Sequence, residues 1–153
     1  SFSPLLGVNA KTKWKTPLDV SLNVKHNVTI KNDGASTTKN YTNGVNSSFT
    51  YRHDGGLNIP LFFFRDFDFE NKITLTLNMS YDKTDEKFRS TYDGDFQNRN
   101  YTTSFNFKPN ISYSFTKYVD GGIHFSYSIN DGSTTVKRTE KDFGFDVHIK
   151  IIG

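Results

Sequence analysis

The segment from Leu18 to Ile30 alternates between two kinds of residue, and this alternation constrains the fold more than any other feature of the sequence. Every second residue from Leu18 onwards is apolar, apart from His26, and every residue between them is polar. A period of two is produced by a β-strand with one apolar and one polar face. At about thirteen residues, the strand is longer than the five to six residues usual in globular proteins.

The same period recurs along the whole chain, and helical periodicity is not evident. The sequence therefore predicts an all-β, antiparallel fold of about seven strands. Their apolar registers run from Leu6 to Trp14, Leu18 to Ile30, Phe49 to Ile59, Ile73 to Tyr81, Tyr101 to Phe115, Ile123 to Ile129 and Phe143 to Ile151.

The connections between these strands are predicted to alternate in length. Short turns follow the first, third and fifth strands, whereas long polar loops follow the others, at 31–46, 83–100 and 130–142. Short periplasmic turns and long external loops are typical of outer-membrane β-barrels. Pro109 lies inside a predicted strand, where it removes a hydrogen-bond donor, so a bulge, a kink or a weakly paired position is expected there.

Aromatic residues gather at the predicted strand ends, where rings favour the membrane–water interface. The predicted interface residues are Trp14, Phe62, Phe63, Phe64, Tyr81, Tyr101, Phe115, Tyr118 and Phe143. The stretch "PLFFFRDFDFEN" is interpreted as a turn at this rim. The residues predicted to face lipid are Val20, Leu22, Val24, Ile73, Leu75, Leu77, Phe105, Phe107, Ile123, Phe125, Val147 and Ile149.

Composition excludes several other classes. The chain has 153 residues, 34% hydrophobic and 16% aromatic, with a net charge of +3 that is too small and too scattered to indicate nucleic-acid binding. It has no Cys, hence no disulfide and no thiolate ligand, and no apolar run long enough for a membrane helix. The alternative left open is a soluble or adhesin-like β-sandwich that binds a partner or glycan through its long loops.

No catalytic, cofactor or metal site is predicted, because no Ser–His–acid set and no complete calcium loop occurs in the sequence. His124 and His148 share the polar face of the last two strands. If that hairpin were symmetric about Val136, the two imidazoles would lie nearly opposite each other, but without an evident third ligand. His26 and His53 occupy the apolar register, so a neighbour is expected to cover them.

Whether the number of strands is odd or even indicates whether these strands could form a whole barrel. Bacterial single-chain barrels have an even number of strands and both termini in the periplasm. Seven strands with the short turns in the periplasm would begin outside. Either the chain has a further strand that the pattern does not reveal, or it is part of a larger barrel. Residues 1–153 are interpreted in the second way, as one structural unit, the C-terminal strands of a larger outer-membrane barrel.

Three stretches resemble a known family: "GLNIPLFFFRDFDFENKITLTLNMSYD", "FNFKPNISYSFTKYVDGGIHFSYSIND" and the terminal "KDFGFDVHIKIIG". They are similar to the C-terminal region of the SprA/Sov family, the outer-membrane translocons of the type 9 secretion system of Bacteroidota. The resemblance covers roughly Thr50 to Gly153. It implies a very large barrel in the bacterial outer membrane that passes folded cargo proteins to the cell surface and catalyses no reaction. The partners implied are the rest of the barrel chain, a smaller cargo-carrying barrel, a periplasmic plug protein, the secreted cargo and the lipid bilayer.

Overall fold

The computed structural model describes residues 2–12, 17–55, 57–59, 67–69, 71–90 and 94–149. These residues form β-strands and connecting turns, and no helix occurs among them. The strands are β1 (Phe2–Lys11), β2 (Leu18–Asn32), β3 (Ser36–Asp54), β4 (Leu57–Ile59), β5 (Phe67–Phe69), β6 (Lys72–Ser90), β7 (Gln97–Ser114), β8 (Val119–Gly132) and β9 (Thr135–Ile149).

Seven of these strands build one antiparallel sheet in the order β1-β2-β3-β6-β7-β8-β9. The prediction of an all-β chain with seven antiparallel strands is thus confirmed, and the short hairpin of β4 and β5 is additional. The sheet is open: in the described residues, β1 pairs with β2 and β9 pairs with β8. Because every strand runs opposite to its neighbour, the first and the seventh strand of the sheet, β1 and β9, run in the same direction. They therefore cannot pair with each other in an antiparallel way.

The strands are much longer than predicted, and the predicted long loops are wrong. Most of 31–46 and 83–100, and nearly all of 130–142, lies in strands; β3 and β6 each have 19 residues. The connections at that end shrink to 33–35, 91–96 and 133–134, whereas 55–71 separates β3 from β6. The reason is that both faces of these extensions are polar, so the apolar alternation that marks a strand is absent from them.

The third predicted strand ends early. Gly55 has a φ of 95°, a left-handed conformation that glycine adopts without steric cost, and the chain leaves the sheet there. Leu57–Ile59 then forms the separate strand β4, so the prediction that one strand continues to Ile59 is wrong. Most of the proposed rim turn, including Phe62 to Phe64, lies outside the described residues.

Pro109 is a weakly paired position, one of the outcomes expected for it. On one side it pairs with Leu77 of β6. On the other side, the register with β8 passes from Phe107↔Tyr127 to Asn110↔His124 without a shift. The ladder is therefore interrupted at Pro109 with no bulge, as expected for a residue without an N–H donor.

The turn between β2 and β3 is closed by Asp33. Its Oδ1 accepts hydrogen bonds from the backbone N–H groups of Ser36 at 2.6 Å and Ala35 at 3.2 Å. The Ser36 hydroxyl also donates to this carboxylate, and it is the main cause that lowers the pKa of Asp33 below its ordinary value.

The turn between β8 and β9 is tied to β7. The Ser133 N–H donates to the Tyr101 carbonyl at 3.0 Å, and the Tyr101 N–H donates to the Ser133 hydroxyl at 3.1 Å. The turn is centred on Ser133 and Thr134. The prediction of a hairpin symmetric about Val136 is therefore wrong: Val136 lies in β9 and is 93% exposed.

The sheet is a single layer. Among the described hydrophobic residues, only Ile73 is buried, at 1% exposure, and no described polar side chain is buried. A sandwich places two sheets about 10 Å apart with a shared core. The described residues provide no second layer of comparable size. Nor do they contain a helical segment with the length and apolar character that a helical membrane crossing requires.

Candidate functional site

The two faces of the sheet differ in chemistry, and the strand register fixes which residue belongs to which face. One row reads Leu18, Tyr51, Leu75, Ile111, Ile123 and Phe145 across six neighbouring strands. The residues one step along each strand point the other way and read Asp19, Thr50, Thr76, Asn110, His124 and Gly144. Sequence alternation within each strand therefore becomes a continuous apolar face and a continuous polar face.

The apolar face is a band of limited height. On β7 it runs from Phe105 to Tyr113, about nine residues, and on β6 from Ile73 to Tyr81. Nine residues at about 3.3 Å each span roughly 30 Å along the strand. A tilted membrane-spanning strand needs about 9–11 residues. The apolar band thus has the height of a bilayer core although the strands are about twice as long.

The register places all twelve residues predicted to face lipid on this apolar face. Its side chains are open to the surroundings: Phe145 is 78% exposed, Phe143 67% and Ile123 49%. Ile73 differs from the others in exposure, because only 1% of it is accessible. A contiguous apolar surface of this kind is unfavourable in water.

The predicted interface aromatics are only partly at strand ends. Phe115 and Tyr118 lie in the turn after β7, as predicted. Tyr81, Tyr101 and Phe143 lie inside strands, so the prediction that they mark strand ends is wrong; the error follows from the misplaced strand boundaries. Tyr81 nevertheless is the last apolar residue of this face on β6. Trp14 and Phe62 to Phe64 lie outside the described residues.

Beyond Tyr81, the same face becomes polar on β6, whereas on β2 its apolar residues continue to Ile30. The next positions on β6 are Lys83, Asp85, Lys87 and Arg89, and they continue in the ladder with β3. Sequence reasoning missed this polar extension because it assigned these residues to loops. The only available signal was the absence of Pro from 31–46 and 83–100.

The polar face carries small uncharged side chains that bond across strands. The Asn106 amide donates to the Ser80 hydroxyl at 3.1 Å, and the hydroxyls of Thr42 and Thr84 lie 3.1 Å apart. Two depressions of about 380 and 340 Å³ lie along this face. Ser48 and Asn78 line the larger one.

Eight charged residues on the polar face are matched in pairs. Four basic–acidic pairs occur there: Lys25–Asp82 at 2.6 Å, Arg138–Glu140 at 2.7 Å, Arg99–Glu86 at 3.5 Å and Arg52–Asp19 at 4.0 Å. Pairs that are this exposed contribute little stability. Their consequence is electrostatic: the fixed charges of the wall largely cancel.

The Lys25–Asp82 pair joins β2 to β6 across the intervening β3. It passes directly over Gly44, and a Cβ at Gly44 would meet both the Lys25 and the Asp82 side chains. Gly44 itself is buried. The absence of a side chain at Gly44 is what allows the two strands to be bridged.

Replacing Gly44 tests this arrangement. We expect Gly44→Ala to displace the ion pair and to lower the free energy of unfolding by about 1 kcal/mol, because the added methyl overpacks the site. In an Asp82→Ala background, the same substitution should cost less than half as much, since one obstructing group is gone. Urea midpoints of the four proteins in this double-mutant cycle give the coupling. Additive losses would contradict the proposed role of Gly44.

The histidines are arranged differently from the prediction. His124 pairs with Gly144 across the hairpin rather than with His148. Both imidazoles instead approach Asp146, with His148 Nε2 at 3.0 Å and His124 Nδ1 at 3.8 Å from the carboxylate. Asp142 lies 3.7 Å from the other nitrogen of His124. Despite this proximity, the described residues contain no group of three or more ligands arranged to hold a metal ion.

His26 and His53 are covered by neighbours, as expected. The Nδ1 atom of His26 lies 2.6 Å from the Asn43 side-chain oxygen, one row beyond the apolar band. The ring of His53 stacks with Tyr51, with centroids 6.3 Å apart. Neither histidine joins a catalytic set among the described residues.

Comparison with known proteins adds no relative: no protein-family model, no curated protein and no solved structure matches this chain.

Proposed function

We propose that this chain forms part of the wall of an outer-membrane β-barrel that conducts proteins, of the type 9 secretion kind. The apolar band faces lipid and the polar face lines a water-filled passage. The extended polar ends of the strands project from the outer surface of the membrane. The chain does not perform catalysis in this role.

The observation that carries the membrane part is the match between the apolar band and a bilayer core. The sheet has a single layer, with polar groups on one face and, on the other, an apolar band as high as the hydrocarbon core of a bilayer. This is the surface chemistry of a barrel wall. In water, the same face would expose a large apolar surface without a covering layer. The soluble β-sandwich is disfavoured for that reason, because a sandwich would bury many hydrophobic side chains, and among the described residues only that of Ile73 is buried.

The protein-conducting part is supported by the polar face and by the family resemblance. Asn, Ser and Thr dominate this face, and eight of its charged residues form basic–acidic pairs. Such a surface offers neither apolar patches nor a strong field to which a passing folded protein would adhere. The resemblance of 50–153 to SprA/Sov sequences gives the passage its proposed cargo, folded proteins secreted by the type 9 system.

Paired cysteine substitutions test the membrane wall. The chain has no Cys, so each introduced thiol is unique. Ser80 and Met79 are adjacent and lie on opposite faces at the same depth. In outer membranes, we expect Ser80→Cys to react with a water-soluble maleimide and Met79→Cys to react at least tenfold more slowly, since a thiol in hydrocarbon does not ionise.

Denaturation in urea and detergent supplies the control, because both thiols should then react at the same rate. Equal reaction rates in the native membrane would overturn the assignment of the faces. Fast reaction at Met79→Cys would favour a soluble sheet.

Cross-linking tests the protein passage separately. A photo-reactive amino acid at Asn78, on the polar face, should cross-link to a tagged type 9 cargo that is stalled during export. The same group at Leu77, on the apolar face, should not. Suppose that the cysteines label as expected while no cargo cross-links at Asn78. That result would support the barrel wall and refute the protein-conducting role.

A further inference from the structure

The upper margin of the apolar band is not level across the sheet. We define this margin, on each strand, as the apolar residue of the apolar face that lies nearest to the β2–β3 and β8–β9 turns. On β2 it is Ile30, which is 59% exposed and lies in one paired row with Lys39 and Lys87. On β6 it is Tyr81. The apolar face therefore reaches six residues further on β2 than on β6.

On β9 the upper margin lies lower still. Lys141 of β9 lies in the same row as Met79 of β6. The upper margin of β9 is Phe143, which is 67% exposed and lies two residues below Lys141. Counted along β6, the margin thus falls by ten residues, from the row of Lys87 to that of Leu77, over the five steps from β2 to β9.

The lower margin of the band falls in the same direction. On β2 the apolar register begins at Leu18, which lies in the same row as Leu75 of β6 and Ile123 of β8. On β9 the apolar register continues to Ile149, which pairs with Val119, four residues below Ile123. Both margins of the apolar band are therefore slanted with respect to the paired rows.

Charged residues follow the slanted upper margin. The next residue of this face beyond the last apolar one is charged on four strands, namely Lys39 on β3, Lys83 on β6, Asp131 on β8 and Lys141 on β9. These four residues occupy three rows, which descend from β3 to β9. Lysine at the edge of an apolar surface lays its methylene chain on that surface and keeps its ammonium group in water. Apolar and charged residues thus trace the same slanted line.

A flat bilayer meets tilted strands along such a line. The two margins fall by ten and four residues over five steps, which is a mean of about 1.4 residues per step. At about 3.3 Å per residue and about 4.8 Å between strands, this slope corresponds to a strand tilt of roughly 45°. Strands of membrane barrels are tilted by about 35–45°. Strands that crossed a bilayer without tilt would have their margins in one row.

We infer that the hydrocarbon core of the bilayer contacts the sheet along this slanted band, so that residues of one paired row lie at different depths. Leu22 and Lys141 share a row, yet Leu22 lies in hydrocarbon and Lys141 lies outside it. Ile30 and Phe143 lie ten residues apart when counted along β6, yet both lie at the outer interface. The inference rests on the proposed function and deepens it, because it gives the orientation of the wall in the membrane.

Spin labels on single cysteines test these depths. The chain has no Cys, so each label is unique. The labelled variants are Leu22→Cys, Lys141→Cys, Ile30→Cys and Phe143→Cys of the full chain in outer membranes, and electron paramagnetic resonance measures collisions with oxygen and with a water-soluble nickel chelate. Because the chelate is excluded from hydrocarbon, we expect it to collide at least about fivefold more often at Lys141→Cys than at Leu22→Cys. The ratio of oxygen to chelate collisions should agree within about twofold at Ile30→Cys and Phe143→Cys.

A second row repeats the comparison without removing a charge, so that the test does not depend on one pair of variants. Val24 and Thr139 share the row of Tyr81, and the chelate should reach Thr139→Cys but not Val24→Cys. Equal collision rates within each row, together with a large difference between Ile30→Cys and Phe143→Cys, would overturn the slant and leave the barrel wall intact. Frequent chelate collisions at all six positions would instead refute the membrane wall itself.

Discussion

Leu77→Arg should destabilise the chain folded in a bilayer, lowering its free energy of unfolding by about 2–4 kcal/mol, which is the cost of a cation at the mid-plane of a barrel wall. Leu77 lies in the central row of the apolar band, beside Phe49 and Pro109. An arginine there has hydrocarbon on its side of the sheet and must reach far along the strand to find water. The effect is measured by urea titration of the protein folded into lipid vesicles, using the shift of the unheated band on gels as the readout.

Two matched variants make this result specific. Thr76→Arg places the same cation one residue away on the polar face, between Thr50 and Asn110, and should cost almost nothing. Tyr81→Arg lies at the edge of the apolar band and should cost only about 0–1 kcal/mol, because the charge reaches the interface. Similar costs at all three positions, or none at Leu77, would show that the apolar face does not meet lipid.

Gly132→Val should lower the free energy of unfolding by about 1–3 kcal/mol through overpacking at the tip of the last hairpin. A Cβ at Gly132 would lie 2.8 Å from the Tyr101 carbonyl oxygen and 2.8 Å from the Thr135 hydroxyl. The carbonyl belongs to the backbone of β7 and cannot rotate away. It also accepts the hydrogen bond from the Ser133 N–H, so the substitution should release the turn from β7.

Gly94→Ala is the control, because nothing lies within 4 Å of a Cβ at that position. Its urea midpoint should stay unchanged or rise slightly. In Gly132→Val, the Ser133 amide should also exchange its hydrogen faster than in the unaltered protein. A normal exchange rate with an unchanged midpoint would show that the turn tolerates the side chain and that the close approach to Tyr101 is not constraining.

The residues from Leu18 to Ile30 show how far sequence reasoning reached. Their alternation predicted a long two-faced strand, and β2 spans Leu18–Asn32 with the predicted apolar register. The same reasoning failed for the first part of β3, from Ser36 to about Gly44, where both faces are polar. Hydrophobic periodicity reports a strand only where the surroundings of its two faces differ. The polar extension could not be found by this criterion.

The position of a turn is harder to predict than the existence of a strand. The sequence predicts a long loop over 130–142 and a last hairpin symmetric about Val136, whereas the turn lies at Ser133 and Thr134. A hairpin centred on Val136 gives His124 the partner His148, whereas the observed register is centred two residues earlier, pairs His124 with Gly144 and places Asp142 and Asp146 near it. Similarly, the bridge from Lys25 to Asp82 spans a third strand and depends on Gly44, so it requires knowledge of the full strand order.

If the polar face lines a protein passage, as we propose, the pairing of charges along it has a consequence for which proteins can pass. A wall with a strong field of one sign would accelerate cargo of opposite charge and exclude cargo of like charge. Here the basic and acidic side chains face one another in pairs such as Lys25–Asp82 and Arg52–Asp19. Acidic and basic cargo should therefore cross this part of the wall at similar rates, and discrimination by isoelectric point must arise before the cargo reaches it.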